Sequence, residues 1–263
     1  MPTSDYWEYT YQNPQIVVVY ENYTELLTFS DIRVTITDGN QMKATVGYEI
    51  HTDDDVDYAE YTVTDNFNVS QYSLFVKSTQ EVLNRWDEPP SGDHTGSGTW
   101  VHANTTYSQP LLIMSDTVTP TVEENNTYCT ASISYQLYDK IFIRSYKIIM
   151  PVTTICTIGD AEPVTVNGKS YETIPVTIQQ NETVKRWWLA QNTGIVRMEH
   201  PLNDATLRAD LTEMAIDISA PEKTHPSTAS KRSAPVNHPA VPTIRASAPG
   251  LEGHLELLRA LIQ

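Results

Sequence analysis

The sequence predicts an all-β protein built as a large curved antiparallel sheet or half-barrel, with room for one short helix in the body. Three observations lead there. Tyrosine is plentiful, at 15 in 263 residues, against only 10 glycines; with the many threonines this composition suits pleated, half-buried surfaces. Apolar and polar residues alternate in segment after segment, at roughly the 8–12-residue spacing of an all-β sandwich or barrel. Turn-forming pairs sit between those segments, Asp38-Gly39 and Asn167-Gly168 being the clearest. About a dozen strands are expected.

In chain order, "IRVTITDGNQMKATVGYEI" places alternating apolar residues on both sides of Asp38-Gly39, so strands near 32–37 and 42–50 should pair. "HTDDDVDYAE" follows, with Asp53, Asp55 and Asp57 at the spacing that opens a calcium loop. The sixth position is Tyr58 and the twelfth Thr64, where such a loop needs Gly and Glu, so a solvated acidic turn is the better reading. "YSLFVKSTQEVLNRW" is the segment that most resembles a helix, although a strand followed by a helical turn fits as well. Residues 87–98, "DEPPSGDHTGSG", are a loop by composition and a candidate divide between two halves of the domain. "TASISYQLYDKIFIRSYKIIM" reads as two strands around Tyr138-Asp139-Lys140. "VTVNGKSYETIPVTI" is a second hairpin, in which Pro175 calls for an edge or a bulge.

"TVKRWWLA" and "GIVRMEH" flank Asn192-Thr193-Gly194, where Gly194 can take a positive φ. Successive strand residues face opposite ways, so Trp187 and Trp188 should lie on opposite sides of the sheet. "LRADLTEMAIDI" closes the series with Thr212, Met214, Ile216 and Ile218 on one face. The β domain therefore spans 1–218. Residues 219–250 are rich in Pro, Ser and Ala and read as a disordered linker. In 251–263, Leu251, Leu255, Leu258 and Ile262 form one helical stripe, either a docking helix for a partner or a tail that packs back on the body.

The chain carries 17 Lys plus Arg against 33 Asp plus Glu, a formal charge of −16. Five of those basic and three of the acidic residues lie in 219–263, which leaves the body at −18. Such a body repels nucleic acid and anionic membrane surfaces. No apolar run is long enough for a transmembrane helix. The start "MPTSDYWEYTY" lacks the features of a signal peptide, which by itself reads as cytoplasmic. Two features point to the periplasm or the extracellular space instead, with the exporting segment missing from this chain. Asn22, Asn68, Asn104, Asn125 and Asn181 each begin an N-x-[ST] sequon, against about three expected by chance in such a composition. Cys129 and Cys156 sit in strand-like segments, either as a disulfide or as two buried thiols.

Chemistry-bearing motifs are sparse. His94 and His102 flank a Gly-containing loop with Asp93, too few ligands for a metal site. No G-x-S-x-G, H-E-x-x-H or C-x-x-C occurs, and no cofactor motif is present.

The words "SQPLLIMSDTVTPTVEENNTYC", "VTVNGKSYETIPVTI", "VKRWWLAQNTGIVRME" and "ADLTEMAI", spanning 107–218, resemble a family of bacterial envelope proteins and lipoproteins of unassigned function, similar to the LolA/LolB half-barrel. The resemblance implies one strongly curved sheet, with one of the two tryptophans on its concave face and the other on the convex side or beneath a covering segment. The expected function is a non-catalytic extracytoplasmic domain that binds a hydrophobic ligand or a hydrophobic protein segment. Trp187, Trp188, Ile195, Met214 and Ile216 are the candidate binding residues. The alternatives are an envelope interaction module with a filled core, whose partner is another envelope protein, and, third, an enzyme. A lipid carrier needs an apolar pocket of roughly 300 Å³ or more, which separates the first two.

Overall fold

A computed structural model describes residues 5–20, 23–37, 41–52, 55–70, 73–86, 99–114, 120–136, 144–202, 205–215 and 243–245. Of the expected disordered linker, 243–245 is described and is a strand, which corrects that expectation there; the rest of the linker, Ile216 and the stripe Leu251, Leu255, Leu258 and Ile262 lie outside the described residues. Among the described residues there are fifteen strands. In chain order they are β1 (Tyr6–Tyr11), β2 (Gln15–Val19), β3 (Thr24–Thr37), β4 (Gln41–His51), β5 (Val56–Ser70), β6 (Ser73–Trp86), β7 (Thr99–Met114) and β8 (Thr121–Gln136). There follow β9 (Arg144–Ile158), β10 (Glu162–Val166), β11 (Lys169–Gln180), β12 (Thr183–Ala190), β13 (Gly194–Leu202), β14 (Ala205–Ala215) and β15 (Thr243–Arg245).

Twelve strands close into an antiparallel barrel. The order runs β1, β14, β13, β12, β11, β9, β8, β7, β6, β5, β4, β3 and returns to β1. Strand β1 makes the closure: Tyr9 pairs with Leu211 of β14 on one edge and with Ile32 of β3 on the other. Strand β2 continues the line of β1 along β3, and its outer edge takes β15 in parallel. Strand β10 lies off the ring and pairs only with β11.

The expectation of an open sheet or half-barrel is therefore corrected to a closed barrel. Alternation of apolar and polar residues is the same in both; what differs is whether the first strand finds the last, and that pairing is written nowhere locally. The all-β class stands, and the hairpin expected at 32–37 and 42–50 is present, with Ile36 opposite Met42. The expected I′ turn is also present: Asn167 and Gly168 both have positive φ, at 50° and 79°. Pro175 falls where the neighbour of β11 changes. Pairing with β10 ends at Thr173 and pairing with β9 begins at Val176, so the missing N–H meets no ladder on that side.

The helix-like segment is strand β6, paired along both edges. Its inward residues include Thr79 and Glu81 beside Val76 and Leu83, and those two polar positions mask the alternation. In β14 the buried face is Leu207, Ala209 and Leu211, while Thr212 and Met214 are exposed. A register shift between Glu8 and Tyr9 of β1 leaves Thr212 as the extra residue of β14 and brings Met214 opposite Trp7, so the face drawn through Thr212 and Met214 is broken at the bulge.

Cys129 and Cys156 lie on neighbouring strands, both buried, but they do not bridge. Cys129 stands opposite Met150 and Cys156 opposite Glu123, six residues away along the ladder. At about 3.4 Å per residue that is roughly 20 Å, far beyond the reach of one disulfide.

The barrel is mainly apolar inside and mainly polar outside. In β8, Thr127, Cys129, Ala131 and Ile133 are buried, and Glu124, Asn126 and Ser132 are exposed, together with Val122 and Tyr128. This is the reverse of a lipid-spanning barrel, whose apolar residues face outward. One end is packed solid by Ile16, Leu27, Ile50 and Leu83, with the rings of Tyr11, Phe29 and Tyr48 in sequence at 5.5 Å. No helix among the described residues is long and apolar enough to cross a membrane.

Candidate functional site

Toward the other end the packing opens into two chambers. The first is a cavity of about 330 Å³ with walls of Trp7, Tyr9, Val34, Phe67, Leu74, Trp187, Leu189 and Ile195, among others. The second, about 490 Å³, is mixed in character and includes Thr105, Tyr107, Cys129, Val152, Ile178 and Gln180. Lys185 borders both.

Strand alternation explains how these side chains arrive there. In β12, Thr183, Lys185, Trp187 and Leu189 all line the chambers, and the residues between them do not. Trp187 is buried, and the Lys185 ammonium lies 5.0 Å from its ring centroid. In β5 the inward series is Tyr61, Val63, Asp65 and Phe67, so a carboxylate takes a place the pattern reserves for an apolar side chain. Trp7 is held by an indole N–H donated to the Thr193 carbonyl at 2.9 Å, and the Tyr9 hydroxyl donates to the Ile195 carbonyl at 3.0 Å. These two bonds tie the first strand to the β12–β13 turn. Asn192 and Gly194 turn there with φ of 60° and 87°, and a side chain on Gly194 would stand against the Trp7 indole.

A polar cluster separates the chambers. Thr79 donates to an Asp65 carboxylate oxygen at 2.7 Å, and Tyr61 donates to Glu81 at 2.6 Å. Burial pushes the Asp65 carboxyl up to about 6, although the Thr79 hydroxyl and the Lys185 charge pull it back. Burial lowers the Lys185 ammonium to about 8, opposed by the Asp65 charge. Tyr107 is pushed up to about 12, again mainly by burial. Asp65 and Lys185 face each other across the barrel close enough for each to feel the other's charge. Among the described residues no ion pair within 4.0 Å joins them.

Of the residues singled out in the sequence, Trp187 and Ile195 line the apolar chamber. Trp188 points the other way, as alternation requires. Its indole N–H donates to Glu162 of β10 at 2.5 Å, and the Arg197 guanidinium lies 6.0 Å from its ring. It is a packing residue under the β10–β11 hairpin, not part of the lumen. Met214 is exposed near the end of β14, where it stands opposite Trp7, but it is not one of the residues that line the chamber. Ile216 lies outside the described residues. Asp57 is engaged by Arg85, whose Nε donates to it at 2.6 Å, so the acidic stretch does not present three carboxylates to a cation. No cluster of His, Cys, Asp and Glu suited to a metal occurs among the described residues.

Sequence reasoning missed Trp7, Phe67, Asp65 and Lys185. The last two had a visible signal: each is the one charged residue in an inward series, Tyr61-x-Val63-x-Asp65-x-Phe67 and Lys185-x-Trp187-x-Leu189. Fold and cavity together define a closed antiparallel barrel with an internal apolar chamber. No family model, no curated protein and no solved structure matches the chain.

Proposed function

We propose that this protein is a non-catalytic binding or carrier barrel that takes a small, mainly hydrophobic molecule into its lumen. The observation that carries the reading is the cavity of about 330 Å³ walled by Trp7, Phe67, Leu74, Trp187 and Leu189. It falls within the size range of small-molecule sites and has their composition, apolar walls with a few polar groups. Divided by the roughly 30 Å³ a water occupies in the liquid, the volume holds about ten heavy atoms. The walls come from β1, β3, β4, β5, β6, β12 and β13, elements that ladder hydrogen bonds hold on both sides, so the chamber is pre-formed and the ligand orders little on entry. The five sequons remain the support for placing this activity outside the cytoplasm.

The test is native mass spectrometry of the purified full chain beside its denatured mass, followed by titration with a neutral apolar fluorophore. The expected result is either a co-purifying mass lost on denaturation or saturable uptake of the fluorophore. Leu74→Trp, which fills the chamber, should abolish that uptake. A bare polypeptide that takes up no apolar probe would overturn the reading.

A second reading is an interaction module. Its support is the outer edge of β2, which accepts a strand in parallel: Val17, Val18 and Val19 pair with Thr243, Ile244 and Arg245 of the tail. An extended segment of a partner could use the same main-chain groups.

A further inference from the structure

The carrier reading leaves open what the polar end of the ligand is, and the inference that follows rests on that reading. Lys185 is only 6% exposed, and it borders the apolar chamber. Its ammonium meets the face of Trp187 at 5.0 Å, and among the described residues it has no hydrogen bond and no ion pair. Across the chamber Asp65 uses one carboxylate oxygen to accept from Thr79 and has no second donor among the described residues. A buried charge short of partners is costly. Two of opposite sign facing one cavity, and not touching each other, form a socket with one donor side and one acceptor side.

We infer that the ligand's head is an uncharged group that both donates and accepts a hydrogen bond, a primary alcohol or a primary amide, bridging Lys185 and Asp65 at the inner end of the apolar chamber. The ammonium donates to the head's oxygen, and the head's O–H or N–H donates to the carboxylate. Three other head groups fit less well. A carboxylate would satisfy Lys185 but add negative charge beside Asp65 on β5 and Glu81 on β6, which already face the cluster with Tyr107 of β7 and Cys129 of β8. An amine would satisfy Asp65 but stand against Lys185. An ester or ketone accepts only, and leaves Asp65 wanting a donor.

The experiment displaces a neutral fluorophore from the full chain at pH 7 with a matched series: octane, octanol, octanamide, octanoate, octylamine and methyl heptanoate. Octanol and octanamide should displace it at least about tenfold more tightly than octanoate, octylamine or the ester, the expected worth of one hydrogen bond to a charged group. Lys185→Met and Asp65→Asn, checked for a folded far-UV circular dichroism spectrum, should each cut that preference to about threefold or less. The wild-type series decides by itself if a variant does not fold. Octanoate or octylamine binding tightest would overturn the inference, as would equal binding of all heads or a preference that survives both folded variants. In those outcomes the carrier reading stands, because the octyl chain still binds. Failure of every compound, octane included, would overturn the carrier reading itself.

Discussion

Asp65 and Lys185 set the pH response of the fold as well as the polarity of the lumen. Burial pushes the Asp65 carboxyl up to about 6 in the barrel, well above the ordinary carboxylate range of about 4. The folded state therefore holds its proton longer than the unfolded chain. The stability that proton contributes is fully present below about pH 4 and is lost as pH rises through about 6. Lys185 runs the other way. Its ammonium titrates at about 8 against 10.5, so its contribution is present above 10.5 and lost as pH falls through 8. Between pH 6 and 8 both groups are charged and both weigh on stability. Asp65→Asn should thus be more stable than the parent at pH 7, by on the order of 2 kcal/mol, with the difference shrinking toward pH 4. Lys185→Met should show its advantage at pH 7 and lose it toward pH 10.5. Urea unfolding of each variant beside the parent at three pH values checks both, and a pH-independent difference would count against the assignment.

At the scale of elements, the β10–β11 hairpin is a flap whose contacts lie outside the ring. Its own Val164 and Val166 are buried, Trp188 donates to Glu162, and the Asn167 side chain donates to the Leu211 carbonyl at 2.9 Å. Under the same flap Arg197 donates to Asp210 at 2.7 Å and to the Thr165 carbonyl at 3.0 Å. Trp188→Ala should destabilise by about 2 kcal/mol, less than a fully buried indole would, because this one is only half-buried. It should leave uptake of an apolar probe intact, since Trp188 faces away from the chamber. Gly168→Ala isolates the turn: a Cβ there meets nothing within 4 Å, so only the positive φ of 79° resists it. The expected loss is about 1 kcal/mol in denaturant unfolding. Sequence made this element half legible. The Asn-Gly turn and the opposite facing of the two tryptophans could be read directly. That the outward tryptophan is roofed by its own neighbouring hairpin could not, because β10 leaves the ring for reasons of pairing and not of pattern.

For the molecule as a whole, closure joins the two ends of the barrel's chain, Tyr6 pairing with Ala215 and Tyr11 with Ala209. A seam between residues so distant carries a large loop-closure entropy and forms late. Tyr9 is the best-buried residue of β1, 2% exposed and bonded to the Ile195 carbonyl. Tyr9→Ala should cost roughly 3 kcal/mol and appear almost wholly in unfolding, about a hundredfold faster, with folding changed by less than about threefold. Stopped-flow chevrons measure both arms; a matching loss in the folding arm would place the seam in the nucleus instead. The chamber depends on the same seam, since Trp7 and Tyr9 are two of its walls.

By itself the sequence determined the all-β class, the hairpins around Asp38-Gly39 and Asn167-Gly168 and the opposite facing of the two tryptophans, and it included Trp187 and Ile195 among the candidate binding residues without deciding which tryptophan faces inward. All of these follow from period-two alternation and turn chemistry, which act over a few residues. Tertiary structure alone decided that the sheet closes, that Cys129 and Cys156 stand six residues apart on paired strands, that Met214 falls at an exposed strand end, and that Asp65 and Lys185 meet in one lumen. Each of those rests on register between distant strands. A shift of one residue reverses every face, and nothing within a single strand fixes which partner it finds.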